Sequence, residues 1–502
     1  MVKLLKIASG HTGLANNAIT YSSISKSCFA IGNVVLRPAV HLVMLYNILK
    51  LLFWVTFRFF FRKTFRLNAD RFPDKGPLII CANHPGAFLD PIVIAASSKR
   101  RIYFLAKAAV FKGPLMKWLL PKFNMIPIYR KQDDPTQMHK NDETFSKCYE
   151  HLLRGDAILI FPEGISITER KLKEIKTGAA RIALGAAAQS DFKTEVKIQC
   201  VGINYDDPHL FRQDVLLSYS EPIVVNQYRK LYEENQKEAV NEITEQIRTN
   251  LEAEVVHIEH EEADGITRQI EKLYRAELIG DTIKTAELKH RELEMIKNIS
   301  VAVKHFLNTD RTKVNDVVNK IKSYFWKLDE LGFSDRIMRT GRKGSNRYFY
   351  WLGEVALIVF GFPLFVYGAV INYLPFTFAS FLSRKLVKTR EFFGAIGVAA
   401  GMLLFLIWYT LLTIVTVQAD FTWWMNLLII ASWIPSGLWC WYYFRSLYYI
   451  RNRWKYISVF RSRKEMMQEI LQQRSEIISE FERIATDLRS KGVIPEEAPV
   501  PR

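Results

Sequence analysis

The sequence contains few cysteines, and no two of them lie close together. The five are Cys28, Cys81, Cys148, Cys200 and Cys440, in a chain of 502 residues. Because a disulfide framework needs paired cysteines, an odd count at wide spacing argues against one. Free thiols are typical of reducing compartments, so we expect the functional part of the chain to face such a compartment.

Several sequence patterns are also missing, and each absence argues against a class of protein or site. Lys3 and Lys6 are not followed directly by an apolar run with a small-residue cleavage site, so no cleavable signal peptide is predicted. No zinc-finger, basic-zipper or RNA-recognition pattern occurs, which argues against nucleic acid as the partner. No cluster of His, Cys, Asp and Glu has a usual metal-ligand spacing, so we expect no metal.

Acidic residues are too few to balance the basic ones. The chain has 69 Lys and Arg residues against 51 Asp and Glu residues, so its formal charge is +18 and its pI is about 9.5. This excess favours an anionic partner. The aromatic residues lie mostly beside apolar runs near both chain ends. They favour a membrane, because Trp and Tyr concentrate at the level of the lipid headgroups.

The first apolar stretch, residues 34–61, is interrupted by basic residues that include Arg37, Lys50 and Arg58. A spanning helix needs about 20 apolar residues with few charges. An aromatic helix with basic residues along it is typical of the membrane interface, so we expect this helix to lie in the plane of the membrane. Residues 1–66 are therefore assigned to an N-terminal segment with a membrane-associated helix.

The C-terminal third contains the longest apolar runs. Residues 392–417 and 421–444 are each long enough to span a membrane, and a short turn at Asp420 joins them. An earlier run, residues 351–382, is broken by two prolines. Basic clusters flank these runs everywhere except at Asp420. The positive-inside rule therefore predicts that residues 351–382 enter the membrane and return, or cross it as a kinked hairpin, with the basic clusters cytoplasmic and Asp420 outside.

Residues 67–225 alternate short apolar runs with helix-like stretches. This alternation predicts an α/β domain with a largely parallel sheet. The predicted strands cover residues 78–82, 102–105, 125–128, 157–161, 196–203 and 216–219. The predicted helices cover residues 91–98, 115–120, 142–153 and 178–189.

Residues 226–345 are charged and helix-forming. Apolar residues at three- and four-residue spacing from Val240 to Val255 predict an amphipathic helix. His257 and His260 are also assigned to a helix, where their spacing could place both on one metal, but the glutamates around them favour a solvated helix face. The remaining predicted parts are an α-helical membrane domain and a charged C-terminal helix with a disordered tail, residues 346–445 and 446–502.

A histidine and an aspartate follow the first predicted strand of the α/β domain. The stretch reads Asn83-His84-Pro85-Gly86-Ala87-Phe88-Leu89-Asp90-Pro91, and strand ends are where α/β folds usually carry their chemistry. A neutral imidazole can take a proton from a hydroxyl, and a carboxylate beside it fixes the tautomer and stabilises the imidazolium. Taken alone, the pair is equally compatible with a structural role. Because residues six apart do not share a helix face, we expect Gly86 to provide an irregular turn between them.

Further polar residues follow later strands. Arg130 follows a predicted strand, where a guanidinium could hold a phosphate or could simply be a surface arginine. Glu163 and Gly164 follow the next strand, where they could contact a substrate hydroxyl or only form a turn. Ser166 does not fit the hydrolase pattern G-x-S-x-G, because position 168 is not glycine. Lys176 opens a predicted helix whose N-terminus could serve an anion.

In order and spacing, four stretches resemble the four motif blocks of the glycerolipid acyltransferase family, which includes lysophosphatidic acid and glycerol 3-phosphate acyltransferases. They run from His84 to Asp90, Ile126 to Arg130, Phe161 to Ser166 and Val201 to Asn204. The segments Leu105-Ala106-Lys107, Phe111-Lys112-Gly113-Pro114 and Lys176-Thr177-Gly178 resemble the family sequences between and after these blocks. The resemblance covers about residues 70–225. The commonest family pattern has four residues between His and Asp, whereas this chain has five, a variant known in some members.

By this resemblance, the chain is an O-acyltransferase of phospholipid biosynthesis that uses a general base. His84 would take the proton from a hydroxyl of the glycerol backbone, and Asp90 would orient His84. Arg130 would bind the phosphate of the acceptor, while Glu163 and Gly164 would place its glycerol portion. The further substrate-binding candidates are Lys107, Ser166 and Lys176. The acyl donor would be acyl-CoA or acyl-carrier protein, with no cofactor.

The acceptor is not decided by these residues. We expect 1-acyl-glycerol 3-phosphate, which would give phosphatidic acid, and the alternatives are glycerol 3-phosphate and another lysophospholipid. A different class of function is a non-catalytic membrane scaffold. We expect an integral membrane protein with its catalytic domain on the cytoplasmic face of the inner or plasma membrane.

Overall fold

The computed structural model describes residue 48 and residues 50–279, 283–340, 347–386 and 393–495. The predictions made for residues 34–47 and for the tail from residue 496 lie outside the described residues.

A sheet of eight strands forms the centre of the α/β domain. The strands are β1 (Lys63–Leu67), β2 (Leu78–Ala82), β3 (Ile102–Lys107), β4 (Met125–Ile128), β5 (Ala157–Ile160), β6 (Lys197–Tyr205), β7 (Asp214–Tyr219) and β8 (Ile223–Val224). Their order is β1-β7-β6-β2-β5-β3-β4, with β8 beside β6. Among the described strands, β6 pairs antiparallel with β7 and β8, and the other five pairings are parallel. The predicted largely parallel sheet is confirmed.

Helices cover both faces of this sheet. They are α1 (residues 50–60), α2 (Leu89–Ser97), α3 (Pro114–Leu119), α4 (Asn141–Leu153), α5 (Gly178–Gln189), α6 (Arg229–Glu234) and α7 (Gln236–Glu254). Successive residues of β2 point to opposite faces, as strand geometry requires. Ile79 joins the apolar core under α4, α5 and α7, whereas Leu78 and Ile80 join the core under α2 and the end of α1. The strand that leads to the site is thus buried on both faces.

Two of the described strands were not predicted from the sequence. β1 carries Lys63 and Arg66 around a buried Phe65, so it lacks the apolar run that marked the other strands. Its position is set by distant parts of the chain, because it pairs with β7 and because Arg62 forms an ion pair with the buried Asp214. β8 has only two residues, which is too short for a periodic signal.

The helix α1 is attached to the α/β domain near both ends of its described part. Phe57 lies in the core and Lys50 donates a hydrogen bond to the carbonyl of Ser98 at 2.7 Å. Leu51 and Trp54 are exposed, which is the composition of a helix face that could contact lipid. The in-plane orientation of this helix stays a prediction.

The charged region folds as a bundle of helices. They are α8 (Glu261–Leu278), α9 (Ala286–Thr309), α10 (Arg311–Leu331) and α11 (Asp335–Thr340), and α15 (Lys464–Ser490) from the C-terminal part joins them. The helical assignment of His257 and His260 is wrong, because both lie in the connection between α7 and α8. The Nδ1 atom of His257 accepts a hydrogen bond from the backbone N–H of Leu172 at 2.9 Å, so this histidine anchors a loop.

Among the described residues, three helices are long and apolar enough to cross a membrane: α12 (Arg347–Leu386), α13 (Phe393–Gln418) and α14 (Trp423–Ser462). The expected break in residues 351–382 is absent, because α12 continues through Pro363 and Pro375. Neighbouring helices can satisfy the backbone groups that a proline frees, which makes such prolines tolerable in apolar helices.

The two halves of α12 pack against different partners. Near its start, Glu354 pairs with Arg453 of α14, and near its end, Ser383 contacts Gly397 of α13. The start of α13 lies against the α/β domain, since Gly394 contacts the backbone of Pro208. The late part of α14 lies against the helical bundle, where Tyr456 packs on Phe333. The end of α12 thus adjoins the part of α13 that contacts the α/β domain, and its start adjoins the part of α14 that leads to the helical bundle. That residues 351–382 return to the side of the membrane on which they enter stays a prediction.

Candidate active site

The end of β2 places a histidine against a buried aspartate. The Nδ1 atom of His84 lies 2.7 Å from Oδ2 of Asp90, whose side chain is fully buried. Asn83 fixes the start of this turn, because its side chain accepts from and donates to the backbone of Ile203 on the neighbouring β6. Asp90 lies in the first turn of α2, where a helix favours a negative charge.

The turn between the two residues has a left-handed residue, but it is not the predicted one. Ala87 has a φ of 50°, and Gly86 does not have a positive φ. Gly86 is needed for space instead, since a Cβ atom there would lie 2.6 Å from Oδ1 of Asp90 and 3.0 Å from the ring of Tyr205. The backbone N–H of Gly86 also donates to Oδ2 of Asp90 at 2.8 Å. The close approach of backbone to carboxylate brings Asp90 back to the imidazole.

The ring of His84 is held from its face as well as its edge. Phe161, which follows β5, stacks on it with ring centroids 3.9 Å apart and an angle of 10° between the planes. The carboxylate of Asp90 is an acceptor, so it selects the tautomer with the proton on Nδ1. The lone pair on Nε2 of a partly exposed imidazole is then free to accept a proton, which is the requirement for a general base.

Tyr205 is a member of this site that the sequence analysis missed. Its hydroxyl donates a hydrogen bond to Oδ1 of Asp90 at 2.8 Å. Burial raises the pKa of Tyr205 well above its usual value of 10, and the negative charge of Asp90 raises it further, so the hydroxyl remains a donor. The available signal was its position, since it lies two residues after the predicted strand 196–203, at the edge where His84 lies two residues after its own strand.

Both carboxylate oxygens of Glu163 accept hydrogen bonds from backbone N–H groups. Its Oε1 atom accepts from the N–H of His84 at 3.1 Å and its Oε2 atom accepts from the N–H of Lys173 at 2.9 Å. Burial raises the pKa of Glu163, while the hydrogen bonds from the backbone N–H groups of Lys173 and His84 oppose that shift. The carboxylate therefore holds the main chain of the histidine turn in place.

The segment after Glu163 is hydrogen-bonded along the same turn. Ser166 Oγ accepts from the N–H of Ala87 at 3.0 Å, and the backbone N–H of Ile167 donates to the carbonyl of His84 at 3.2 Å. Thr168 Oγ1 donates to the carbonyl of Pro85 at 3.0 Å. Ser166 is thus a structural partner of the turn, and its predicted contact with substrate stays a prediction.

Arg130 joins the cluster through Gly164. Its Nη1 atom donates to the carbonyl of Gly164, while Nε and Nη2 donate to the two carboxylate oxygens of Asp133 at 2.6 and 2.7 Å. Hydrogen bonding to Arg130 lowers the pKa of Asp133. A phosphate could use the same fork of donors, but it would compete with Asp133 for them.

The two predicted lysines are exposed. Lys107 ends β3 and stands in register with Ile128, two residues before Arg130, so it adds a positive charge on the same side of the sheet. Lys176 pairs with Glu174 at the surface, and no described contact joins it to His84. Hydrogen bonds therefore connect the turns that carry His84, Asp90, Glu163, Gly164, Ser166 and Arg130. The backbone N–H of Lys176 donates to the carbonyl of Pro162 at 2.9 Å, but its side chain does not join this set.

Comparison with known proteins assigns this domain. Residues 65–204 match the family model described as Acyltransferase. Glycerol-3-phosphate O-acyltransferase 1 of Saccharomyces cerevisiae is 22% identical over 482 residues, which cover 75% of this chain and 62% of that protein. The second yeast protein of that name, glycerol-3-phosphate O-acyltransferase 2, is 37% identical over 112 residues, which cover 22% of this chain and 15% of that protein. The chain carries a glycerolipid acyltransferase domain.

The glycerolipid acyltransferase domain is one part of the chain. The chain spans about three fifths of the length of the first yeast relative and less of the second. The solved structure of the 1-acyl-sn-glycerophosphate (LPA) acyltransferase PlsC from Thermotoga maritima is 18% identical, covers 43% of this chain and 88% of that chain, and has a TM-score of 0.29. The family match ends within β6, one residue before Tyr205. One residue of the candidate site, Tyr205, therefore lies just outside the range that the family model matches.

Proposed function

We propose that the chain transfers an acyl group from a thioester to a hydroxyl of a phosphorylated glycerol. The observation that carries this proposal is the contact between His84 and the buried Asp90 at the end of β2, inside a domain of the glycerolipid acyltransferase family. The stacked imidazole, the fixed tautomer and the open Nε2 atom together support a general base.

The proposed reaction is a direct transfer. His84 Nε2 takes the proton of the acceptor hydroxyl while its oxygen attacks the thioester carbonyl carbon. A carbon–oxygen bond forms, the carbon–sulfur bond breaks, and the leaving thiolate takes the proton from the imidazolium. Asp90 orients His84 and stabilises the charged imidazolium between the two steps. The donor is proposed to be acyl-CoA or acyl-carrier protein, both of which are anionic and suit a chain of formal charge +18.

The phosphate of the acceptor is proposed to bind at Arg130, with Lys107 as a second cation. Gly164 joins Arg130 to the turn that holds His84, so the phosphate and the reacting hydroxyl would be held by one connected set of residues. Glu163 supports this arrangement through the backbone of His84, and we propose that its influence on the glycerol portion is indirect.

Two acceptors are proposed for this site. Glycerol 3-phosphate is supported by the yeast glycerol-3-phosphate O-acyltransferase 1, which matches 75% of this chain, and the product would be 1-acyl-glycerol 3-phosphate. The acceptor preferred by the sequence analysis, 1-acyl-glycerol 3-phosphate, is supported by a structural observation. Phe61, just after α1, is buried and stacks on Tyr205, so the end of α1 adjoins the site, while Leu51 and Trp54 earlier in α1 are exposed. We propose that a membrane-bound lysolipid reaches His84 from the side of α1.

The test is an assay of membranes that contain the full chain, with acyl-CoA or acyl-carrier protein as donor and either labelled acceptor. Transfer to one acceptor that is lost in His84→Ala would support the enzyme and identify its acceptor. Transfer that persists in His84→Ala would remove His84 as the base. The absence of transfer with any donor and acceptor would favour the non-catalytic scaffold. Protease accessibility in sealed vesicles would test the proposed cytoplasmic placement of the domain.

A further inference from the structure

Tyr205 contacts the proposed catalytic pair, but no step of the proposed reaction requires it. Its hydroxyl donates to Oδ1 of Asp90, and the other carboxylate oxygen receives the two donors His84 Nδ1 and Gly86 N–H. The three donors occupy both oxygens of a carboxylate that has no solvent exposure. An aspartate buried in this way has its orientation fixed by those donors, and Tyr205 is the donor on the side away from the histidine.

The aromatic ring of Tyr205 is itself fixed by neighbours. Phe61 stacks on it with ring centroids 5.8 Å apart and an angle of 22°, and the ring stands against Gly86 on the other side. The ring therefore cannot turn away without moving the end of α1 or the histidine turn. Gly86 and Tyr205 fit each other, since any side chain at position 86 would meet both the tyrosine ring and the carboxylate.

We propose that Tyr205 is a positioning residue, which acts through Asp90 to hold His84 in the geometry needed to accept the proton. This inference rests on the proposed function. Without the hydroxyl, Oδ1 of Asp90 would be left buried with no donor among the described residues, and the carboxylate could rotate about its Cβ–Cγ bond to find one. That rotation would take Oδ2 away from Nδ1 of His84. Loss of the hydroxyl would slow the chemical step rather than weaken acceptor binding, because Tyr205 contacts Asp90 and none of the groups proposed to bind the phosphate.

The test is Tyr205→Phe in the full chain, assayed in membranes with both donors and acceptors beside the wild type and His84→Ala. The ring and its stacking on Phe61 remain, so the amount of folded protein should be unchanged. We expect kcat to fall about tenfold, as for the loss of one hydrogen bond to a charged group, while KM for the acceptor stays within twofold. The matched control is Tyr219→Phe, a buried tyrosine of β7 in the same apolar core, which should leave kcat unchanged.

A second comparison shows whether Tyr205 acts through Asp90. In an Asp90→Asn background, Tyr205→Phe should cost less than twofold in kcat, because the carboxylate that it positions is gone. A kcat for Tyr205→Phe equal to that of wild type, or a loss of the same size in both backgrounds, would overturn the inference. The proposed function fails separately, through the absence of transfer by the wild type or through transfer that persists in His84→Ala.

Discussion

At the scale of single residues, the proposed phosphate-binding role of Arg130 has to be compatible with the ion pair that this arginine already forms. Two of its nitrogen atoms are bonded to Asp133, and this pair is partly exposed. If the guanidinium binds phosphate, the acceptor must displace the aspartate. We therefore expect Asp133→Ala to lower KM for the phosphorylated acceptor up to about fivefold, since a partly exposed ion pair contributes up to about 1 kcal/mol.

The measurement is steady-state kinetics with varied acceptor, and the matched control is Asp134→Ala. Asp134 is the neighbouring aspartate, and its side chain is hydrogen-bonded to Thr136 and Gln137 rather than to the guanidinium of Arg130. A higher KM in Asp133→Ala would show that the pair holds Arg130 in place for the phosphate. Equal KM values for all three proteins would argue against a phosphate at Arg130.

Glu163 provides a prediction about pH. Because burial raises its pKa above the ordinary value of 4.5, the folded chain keeps this proton at pH values where the unfolded chain has lost it. The contribution of Glu163 to stability is therefore largest at low pH and falls as pH rises from 4.5 through the folded-state pKa. Glu163→Gln cannot titrate, so the melting temperature of wild type minus that of the variant should decrease with pH over that window. A difference that grows with pH would mean that the backbone hydrogen bonds outweigh burial.

Residue by residue, the sequence identifies the groups that lie two residues after the ends of predicted strands. His84, Arg130 and Glu163 each follow a strand, and parallel neighbours bring such ends to one edge of the sheet. It could not identify what each side chain contacts. Tyr205 lies 115 residues after Asp90 in the chain, and the two backbone partners of Glu163 depend on how the loop after β5 returns to the histidine turn.

At the scale of elements, Asn372 joins the three apolar helices. It is buried in α12, its amide donates to the carbonyl of Trp433 in α14 at 3.2 Å, and its Oδ1 accepts from the hydroxyl of Tyr409 in α13 at 2.6 Å. Hydrogen bonds between apolar helices contribute about 0.6 to 2 kcal/mol each. We expect Asn372→Leu to lower the melting temperature of the detergent-solubilised chain by several degrees.

The control for this change lies one residue away. Tyr373 is 68% exposed on the same helix, so Tyr373→Leu changes the composition of α12 without removing a contact between helices. Tryptophan fluorescence during a thermal ramp would measure both variants. Equal melting temperatures for Asn372→Leu and the wild type would show that packing alone holds the three helices together.

Predictions of elements succeeded where the periodicity of apolar residues was regular. The helix Gly178–Gln189 has the predicted bounds, and the amphipathic pattern from Val240 onward corresponds to α7. They failed where tertiary contacts decide the structure. β1 depends on pairing with β7, and the two prolines of α12 are accommodated inside the helix. His257 lies outside the helix and accepts a hydrogen bond from the backbone N–H of Leu172.

At the scale of the whole molecule, one segment of the α/β domain links the site to the helical bundle and to the apolar helices. The sequence alone would treat these three parts of the chain as separate. Tyr205 contacts Asp90 and Phe61, and the next residue, Asp206, forms an ion pair with the buried Lys289 of α9. Phe211, a few residues later, packs against Phe376 of α12. The segment after β6 therefore connects the site to the helical bundle and to the apolar helices, and a change in either could reach the proposed catalytic pair through it.

The same contacts lead to a prediction of the side of the membrane on which Asp420 lies. The start of α13 contacts Pro208 of the α/β domain, and the late part of α14 contacts the helical bundle, so both helices begin or end on the domain side. α13 has 26 residues and is therefore about 39 Å long, which exceeds the hydrocarbon thickness of a bilayer. Its far end, with Asp420, should emerge on the opposite side.

We therefore expect a cysteine at position 420 to react with a membrane-impermeant maleimide only from the side opposite the catalytic domain. The partner variant is Lys491→Cys, at the exposed end of α15 in the helical bundle, which should react only from the domain side. Sealed vesicles of both orientations would be labelled, with the wild type as the reference for its own cysteines. Labelling of both positions from one side would mean that α13 and α14 do not cross, and that the apolar helices lie along the membrane surface beside α1.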